Sequence, residues 1–274
     1  MIDYRKMVPA DIDAGLALCR SAGWNQLEND WKLFLELAPD GARVAIDESG
    51  KVAGTVTTIN YEDHFSWIGM VLVDPEKKRQ GIGTQLLREA LKVLEKMETV
   101  KLDATPAGRE VYLKLGFTDE YMLSRMVLKE QVGSLHSGAF NVSEKDFEAI
   151  LKQDKKVFGA SREDLLKRIH KNYPELSFIT SNNSYSFARK GFNFTQIGPV
   201  IADGIDDAMQ LVSGALNNIK GPVVMDVMDE SPFQQWLTSL GFTQQRKLIR
   251  MYLGKNKYPG TPAKQFAILG PEFG

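Results

Sequence analysis

Residues 71–87, VLVDPEKKRQGIGTQLL, carry the clearest chemistry-bearing spacing in the chain. An apolar run ends at Asp74-Pro75, a basic loop Lys77-Lys78-Arg79 follows, and Gly81-Ile82-Gly83 opens a segment with helical periodicity. Ile82, Leu86, Leu87, Ala90, Leu91, Leu94 and Met97 form one stripe; Arg88, Glu89, Lys92, Glu95 and Lys96 cover the other face. The order predicted is strand, glycine turn, helix. The first turn of such a helix presents unpaired main-chain N–H groups at the positive end of its dipole, and two glycines let an anion approach closely. That arrangement is a phosphate cradle. A P-loop is excluded because Gly83 is followed by Thr84-Gln85 instead of Lys-Ser/Thr. A Rossmann fingerprint is excluded because Leu86 stands where the third glycine would be.

Several elements must hold this cradle. Residues 11–23 read as a helix stopped by Gly23, and 24–37 as a Trp-Asn-Gln turn that continues into a second helix. Residues 42–46 and 52–61 form a hairpin, and 65–73, apolar almost throughout, reads as a strand covered on both faces. A short strand at 100–104 precedes a helix begun by Pro106 and stopped at Gly116; Phe117 and a strand at 121–128 close the first unit. Further on, helices are expected at 143–157 and at 161–171, the second capped by Ser161. Strands at 176–180, 185–189 and 195–202 and a helix at 206–216 follow.

Whole-chain properties set the limits. A length of 274 residues suits two domains of about 100 to 150 residues. With 43% apolar and 25% charged residues, each has ample core. A net charge of −1 and no basic run interleaved with aromatics argue against nucleic acid. The opening residues lack a signal-peptide pattern and no apolar stretch reaches membrane-spanning length, so a cytoplasmic protein without a membrane partner is expected. The single Cys19 rules out an internal disulfide, and His64, His136 and His170 have no metal-ligand spacing; no metal is expected.

Val73-Asp74-Pro75 followed by Gly81-Ile82-Gly83 resembles the coenzyme A loop of the GNAT superfamily of N-acetyltransferases, with Lys78 at the position that is usually Gln or Arg. The resemblance implies an α+β fold: a mixed, mostly antiparallel twisted sheet flanked by helices. It implies acetyl-CoA as cosubstrate, bound by Val71, Val73, Lys78, Arg79, Gln80, Gly81, Ile82, Gly83 and Thr84. It further implies that Tyr112, in VYLKLGF, is the acid that protonates the departing thiolate, and that Trp24 and Asn25 contact the acceptor. A main-chain N–H near Val71 would stabilise the oxyanion. Glu28, Glu62, Asp63 and His64 are candidates for the base that receives the amine proton. Cys19 could instead carry a covalent acyl relay.

The two halves share an internal repeat. Leu115-Gly116-Phe117 recurs as Leu240-Gly241-Phe242 and Arg125-Met126 as Arg250-Met251, both shifted by 125. Ile68-Gly69 corresponds to Ile197-Gly198 and Leu102-Asp103 to Met225-Asp226. The second half is therefore expected to be another GNAT-like fold without the chemistry. Counted along these shifts, Gly81 and Gly83 fall on Gln210 and Val212, and Tyr112 on Leu237. The motifs ARKGFNFTQIGPVIA and LGPEFG look like a bacterial group of tandem GNAT proteins with a divergent second domain. The expected division is a catalytic domain at 1–130, a linker at 131–138 and a degenerate domain at 139–274. The implied function is direct transfer of an acetyl group to a primary amine of a small molecule or peptide, by a monomer or homodimer. A non-catalytic acyl-CoA sensor and an interaction scaffold are the rival readings.

Overall fold

The strand at residues 65–73 is apolar nearly throughout because helices cover both of its faces, and the rest of the fold is built outward from it. In a computed structural model, residues 1–130 and 132–274 are described; Gln131, the first residue of the expected linker, lies outside them. The first half runs β1 (Asp3–Lys6), α1 (Ile12–Ser21), α2 (Glu28–Leu37), β2 (Arg43–Ile46), β3 (Val52–Tyr61), β4 (Phe65–Val73), α3 (Ile82–Val93), β5 (Thr99–Ala104), α4 (Pro106–Lys114) and β6 (Thr118–Leu128). The second half runs β7 (Phe140–Asn141), α5 (Phe147–Phe158), α6 (Glu163–Asn172), β8 (Phe178–Ile179), β9 (Tyr185–Lys190), β10 (Thr195–Ile201), α7 (Ile205–Asn218), β11 (Val223–Met228), α8 (Pro232–Ser239), β12 (Thr243–Gly254) and β13 (Gln265–Ala267). Ser161 does not cap α6. Arg162 is the residue before that helix, and the Ser161 N–H donates to Glu62 instead.

All strands belong to one mixed, mostly antiparallel sheet, ordered β1-β2-β3-β4-β5-β12-β6-β11-β13-β10-β9-β8-β7. The halves have exchanged a strand. β6, expected to close the first unit against β5, lies between β12 and β11, and β12 from the second half takes the place beside β5. The repeat explains the register. Leu123 faces Leu248 across the β6–β12 pair, and on either side Arg125 faces Arg246 while Tyr121 faces Arg250. Leu123 faces its own repeat counterpart, and Arg125 and Tyr121 each face the counterpart of the other, so a pseudo-two-fold axis passes beside Leu123 and Leu248.

The same symmetry crosses the seam with charge. Arg125 grips Asp226 through Nε and Nη2 at 2.7 Å, and Arg250 grips Asp103 through the same two nitrogens at 2.9 Å. All four side chains are buried, and each arginine is matched to the carboxylate of the opposite half. Three large apolar cores and a small one at Leu123, Leu248 and Ile268 flank the sheet, and the largest unites α1 and α2 with α5, α6 and Phe273.

The halves differ where parallel strands meet. β4 and β5 touch only at Ser66–Val100 and Trp67–Lys101, then diverge; β10 and β11 touch only at Thr195–Val223 and Gln196–Val224, then diverge likewise. Between β10 and β11 the gap is filled by β13, which pairs with both. Between β4 and β5 it stays open. The counted counterparts Gln210 and Val212 lie inside α7 and not before it, so they are not the structural equivalents of Gly81 and Gly83. The loop before α7 is shorter than the one before α3, Gly204 caps the helix, and its first turn carries Asp206 and Asp207. Acid at that end repels phosphate, and Leu237, opposite Tyr112 in the repeat, is fully buried.

Candidate active site

Where β4 and β5 part, a cavity of about 400 Å3 passes through the sheet. One wall is Ile68 to Val71; the other is Leu102, Asp103 and Thr105. The β3–β4 ladder slips here: Thr57 faces Gly69 and Thr55 faces Leu72, so Val56 opposes both Met70 and Val71. This is a bulge, with Met70 at φ 51° and its carbonyl accepting from the Thr55 hydroxyl at 2.8 Å. The bulge takes main chain at Met70 and Val71 out of the regular ladder beside the cavity.

On one side of the sheet lies the glycine loop. Gly81 precedes α3 at φ 82° and Arg79 is at φ 64°, so the chain turns sharply and aims the helix start into the cavity. Gln85 N–H is the first to bond within the helix, to Gly81 carbonyl at 3.0 Å, which leaves the amides of Ile82, Gly83 and Thr84 without helical partners. A side chain at Gly83 would begin 3.3 Å from Val73 Cγ2, so glycine keeps this wall low. Lys77 is tied to Asp47 at 2.5 Å. Lys78 and Arg79 are exposed and, among the described residues, paired with no carboxylate. Every expected coenzyme-loop residue lines this cavity except Gln80. A diphosphate fits the amides, the glycines and the two exposed cations.

Tyr112 comes from α4, whose N-terminus is capped by Thr105 Oγ1 accepting from Gly108 N–H at 3.2 Å. Gly108 also makes room for the phenol ring, because a Cβ there would lie 3.1 Å from Tyr112 Cε2. The ring packs on Phe117 and is 9% exposed. Its hydroxyl makes no hydrogen bond among the described residues, and burial pushes its pKa up to about 12. Tyr112 lines the same cavity as the cradle.

On the opposite side of the sheet the cavity is polar, and both halves supply it. Trp24 and Asn25 line it. The Asn25 amide, however, is committed to the second half: it donates to Phe194 carbonyl at 3.0 Å and accepts from the N–H groups of Asn193 and Phe194 at 2.9 and 3.0 Å. Asp103 lines the wall, held by Arg250, which also donates to the Tyr121 hydroxyl at 2.6 Å. Glu272 is brought in by residues 269–274. The Pro271 carbonyl accepts from Trp67 Nε1 at 2.8 Å, the Phe273 carbonyl from the Tyr61 hydroxyl at 2.7 Å, and a Gly274 main-chain oxygen from Arg162 at 2.8 Å. Gly69 permits this approach, since a Cβ there would lie 3.0 Å from Glu272 Cα. Glu272 accepts from Gln26 Nε2 at 2.9 Å and from Arg189. Arg125 and Arg246 complete the lining.

Reading along the chain missed Arg125, Arg246 and Glu272. Arg125 was visible only as half of a repeated Arg-Met pair and Glu272 only as part of LGPEFG; nothing local marked Arg246. The four candidate bases are not brought to the cavity. Glu62, Asp63 and His64 occupy the turn at the far end of β4, where Glu62 pairs with Lys155 and His64 Nδ1 meets Gly159 carbonyl. Glu28 pairs with Lys32 on the surface. Cys19 is fully buried away from the lining, with burial pushing its thiol up to about 12, which removes it as a relay nucleophile. Among the described residues no cluster of metal ligands gathers and no helix is long and apolar enough to cross a membrane.

Comparison with known proteins agrees with this geometry. Residues 13–117 match the acetyltransferase (GNAT) family, and residues 150–267 match an acetyltransferase (GNAT) domain family. The chain is 27% identical over 271 residues to holothin acyltransferase of Pseudoalteromonas sp. (strain SANK 73390), covering 91% of each chain. It is 24% identical to an uncharacterized N-acetyltransferase of Bacillus subtilis (strain 168), covering 83% of each. Among solved structures it superposes on a candidate acetyltransferase of Pyrococcus horikoshii at a TM-score of 0.85 and 23% identity, covering 100% of this chain and 96% of that one. A tandem GNAT protein from the clavulanic acid biosynthesis pathway superposes at a TM-score of 0.63 and 12% identity, over 92% and 98% of the chains. With two matched domains, one open glycine-lined cleft and one filled cleft, the chain belongs to the GNAT superfamily as a tandem-domain acyltransferase with a divergent second domain.

Proposed function

We propose that the protein transfers an acetyl group from acetyl-CoA directly to the primary amine of a small molecule or peptide, with both reactants held in the cleft at once. The observation that carries this reading is the continuity of the cavity: it joins the α3 amides and Tyr112 on one side of the sheet to a polar chamber on the other. In this reading residues 1–130 form the catalytic domain, 131–138 the linker and 139–274 the domain that completes the acceptor chamber.

The α3 amides, Lys78 and Arg79 hold the diphosphate, and the gap between β4 and β5 admits the thioester arm. The Val71 N–H stabilises charge that develops on the thioester oxygen. A primary amine with a pKa near 10.4 is protonated at neutral pH, and freeing it costs roughly 4 to 5 kcal/mol. Glu272 lies beside Gly69 on the bulged strand and holds this ammonium, receiving its proton directly or through water. The nitrogen then forms the new N–C bond as the C–S bond breaks, and the acylated nitrogen gives up its second proton to water, leaving the neutral amide. Tyr112 steadies the leaving thiolate. With its pKa at about 12 against about 8.5 for a thiol, complete proton transfer is uphill by roughly 5 kcal/mol. The phenol therefore serves as a hydrogen-bond donor, and the thiolate takes its proton from solvent after release.

Thiol release from acetyl-CoA across a panel of amines, amino acids, polyamines and peptides tests this. Amine-dependent release is expected. Tight acetyl-CoA binding with no release on any amine would make the protein a sensor, and no binding at all a scaffold.

A further inference from the structure

The acceptor chamber is electrically lopsided. Arg189 is bound by two carboxylates, Asp30 and Glu272, so the Glu272 end carries surplus negative charge. Asp103 and Asp226 are each matched to one arginine. Arg246 has no ion pair or hydrogen bond among the described residues, and its Nε is buried without a partner. It lines the cavity nonetheless.

The pseudo-symmetry shows what Arg246 replaces. In one half Arg250 uses Nε and Nη2 on Asp103 and donates from Nη1 to the Tyr121 hydroxyl. In the other, Arg125 uses Nε and Nη2 on Asp226, and its Nη1 has no acceptor among the described residues, because the position equivalent to Tyr121 is Arg246. Where one half has a phenol oxygen, the other has two guanidinium groups facing a gap. Alternation along β12 sets Arg246 on the same face as Leu248 and Arg250, opposite the face where Ile249 and Met251 join the α3 core. That is the Glu272 side of the sheet, across from the diphosphate cradle. Burial, and then the neighbouring Arg125, push Arg246 down to about 10, so it remains a cation at neutral pH.

Resting on the acyl-transfer reading, we propose that the acceptor is a zwitterion, an amine that also bears a carboxylate, with the carboxylate held between Arg246 and Nη1 of Arg125 while the amine faces Glu272. Arg246 is half-buried with its Nε shut away from solvent and unpartnered, an arrangement that costs free energy until an anion completes it. A planar carboxylate suits two converging forks. The surplus charges at the two ends of the chamber match the two ends of an amino acid.

The test measures thiol release from acetyl-CoA with phenylalanine, phenylalaninamide and phenethylamine, and with the pair lysine and cadaverine, for the wild type, R246Q and R246K. The carboxylate-bearing member of each set is expected to have a kcat/KM about 10- to 100-fold above its neutralised or decarboxylated partner, the range of a shielded charge-assisted pair. R246Q is expected to bring that ratio close to one, chiefly through KM, and R246K to recover part of it. Acetyl-CoA affinity by calorimetry is expected to be equal in all three proteins, which also shows that the variants are folded. Release without preference for the carboxylate, or a preference that survives R246Q, overturns this assignment and leaves the acyl-transfer reading intact. A preference found instead among donors, succinyl-CoA over acetyl-CoA and lost in R246Q, overturns it too, because Arg246 would then read the acyl group. No release with any acceptor, although acetyl-CoA binds, overturns both readings.

Discussion

Tyr112 and Arg246 are opposite kinds of residue, one a buried neutral phenol and one a half-buried cation. For Tyr112, the phenol that lines the cleft is expected to act late, on the leaving thiolate. Tyr112→Phe should lower kcat by about 10- to 100-fold, the worth of a hydrogen bond to a charged group, with little change in acetyl-CoA affinity by calorimetry. Because the hydroxyl keeps its proton to about pH 12, the rate with phenethylamine, which has no carboxylate for Arg246 to hold, should climb with pH as the amine deprotonates and show no alkaline fall below about pH 11. For Arg246, its lowered pKa means the charged form is disfavoured in the fold at every pH below about 10. Arg246→Met should therefore raise the stability of the unliganded protein by about 1 kcal/mol, read as a higher urea midpoint at unchanged slope. Tyr112 was legible in the chain because its motif is local. Arg246 was not, since its meaning depends on Arg125, a residue in the other half that reaches it only through the exchanged strands.

At the level of elements, one difference separates the open cleft from the filled one. β4 and β10 share a bulge and a splayed parallel neighbour, yet β13 occupies the second gap and, among the described residues, no strand enters the first. The glycine loop, the amphipathic α3 and the apolar β4 were readable from spacing because each is governed by neighbours a few residues away. Filling of the second cleft was not, because β13 is three residues long and has no pattern of its own. Gly81→Val is expected to weaken acetyl-CoA binding while sparing the fold, since φ 82° penalises a β-branched residue and α3 would start askew. The seam between the halves should show the reverse. Asp103→Ala leaves Arg250 buried without its carboxylate and is expected to cost about 3 to 5 kcal/mol of stability in urea.

For the whole molecule, the strand exchange makes the two halves one folding unit despite their origin as a repeat. β12 fills the slot beside β5, and β6 lies between strands of the second half, so residues 1–130 expressed alone would lack a central strand. Circular dichroism and tryptophan fluorescence should therefore report one coincident unfolding transition for the full chain, and the fragment should not fold. The duplication itself was legible, because four short matches kept their order. The exchange was not, since a strand's partner is set by packing across the sheet and leaves no mark on its own residues. The central claim is that the open cleft seats the coenzyme on main-chain amides, and a crystal soaked with coenzyme A tests it most directly. The account predicts diphosphate oxygens within hydrogen-bond reach of the amides of residues 81–84 and the sulfur in the gap between Val71 and Leu102. Density for the nucleotide anywhere else, with side chains closing that gap, would contradict it.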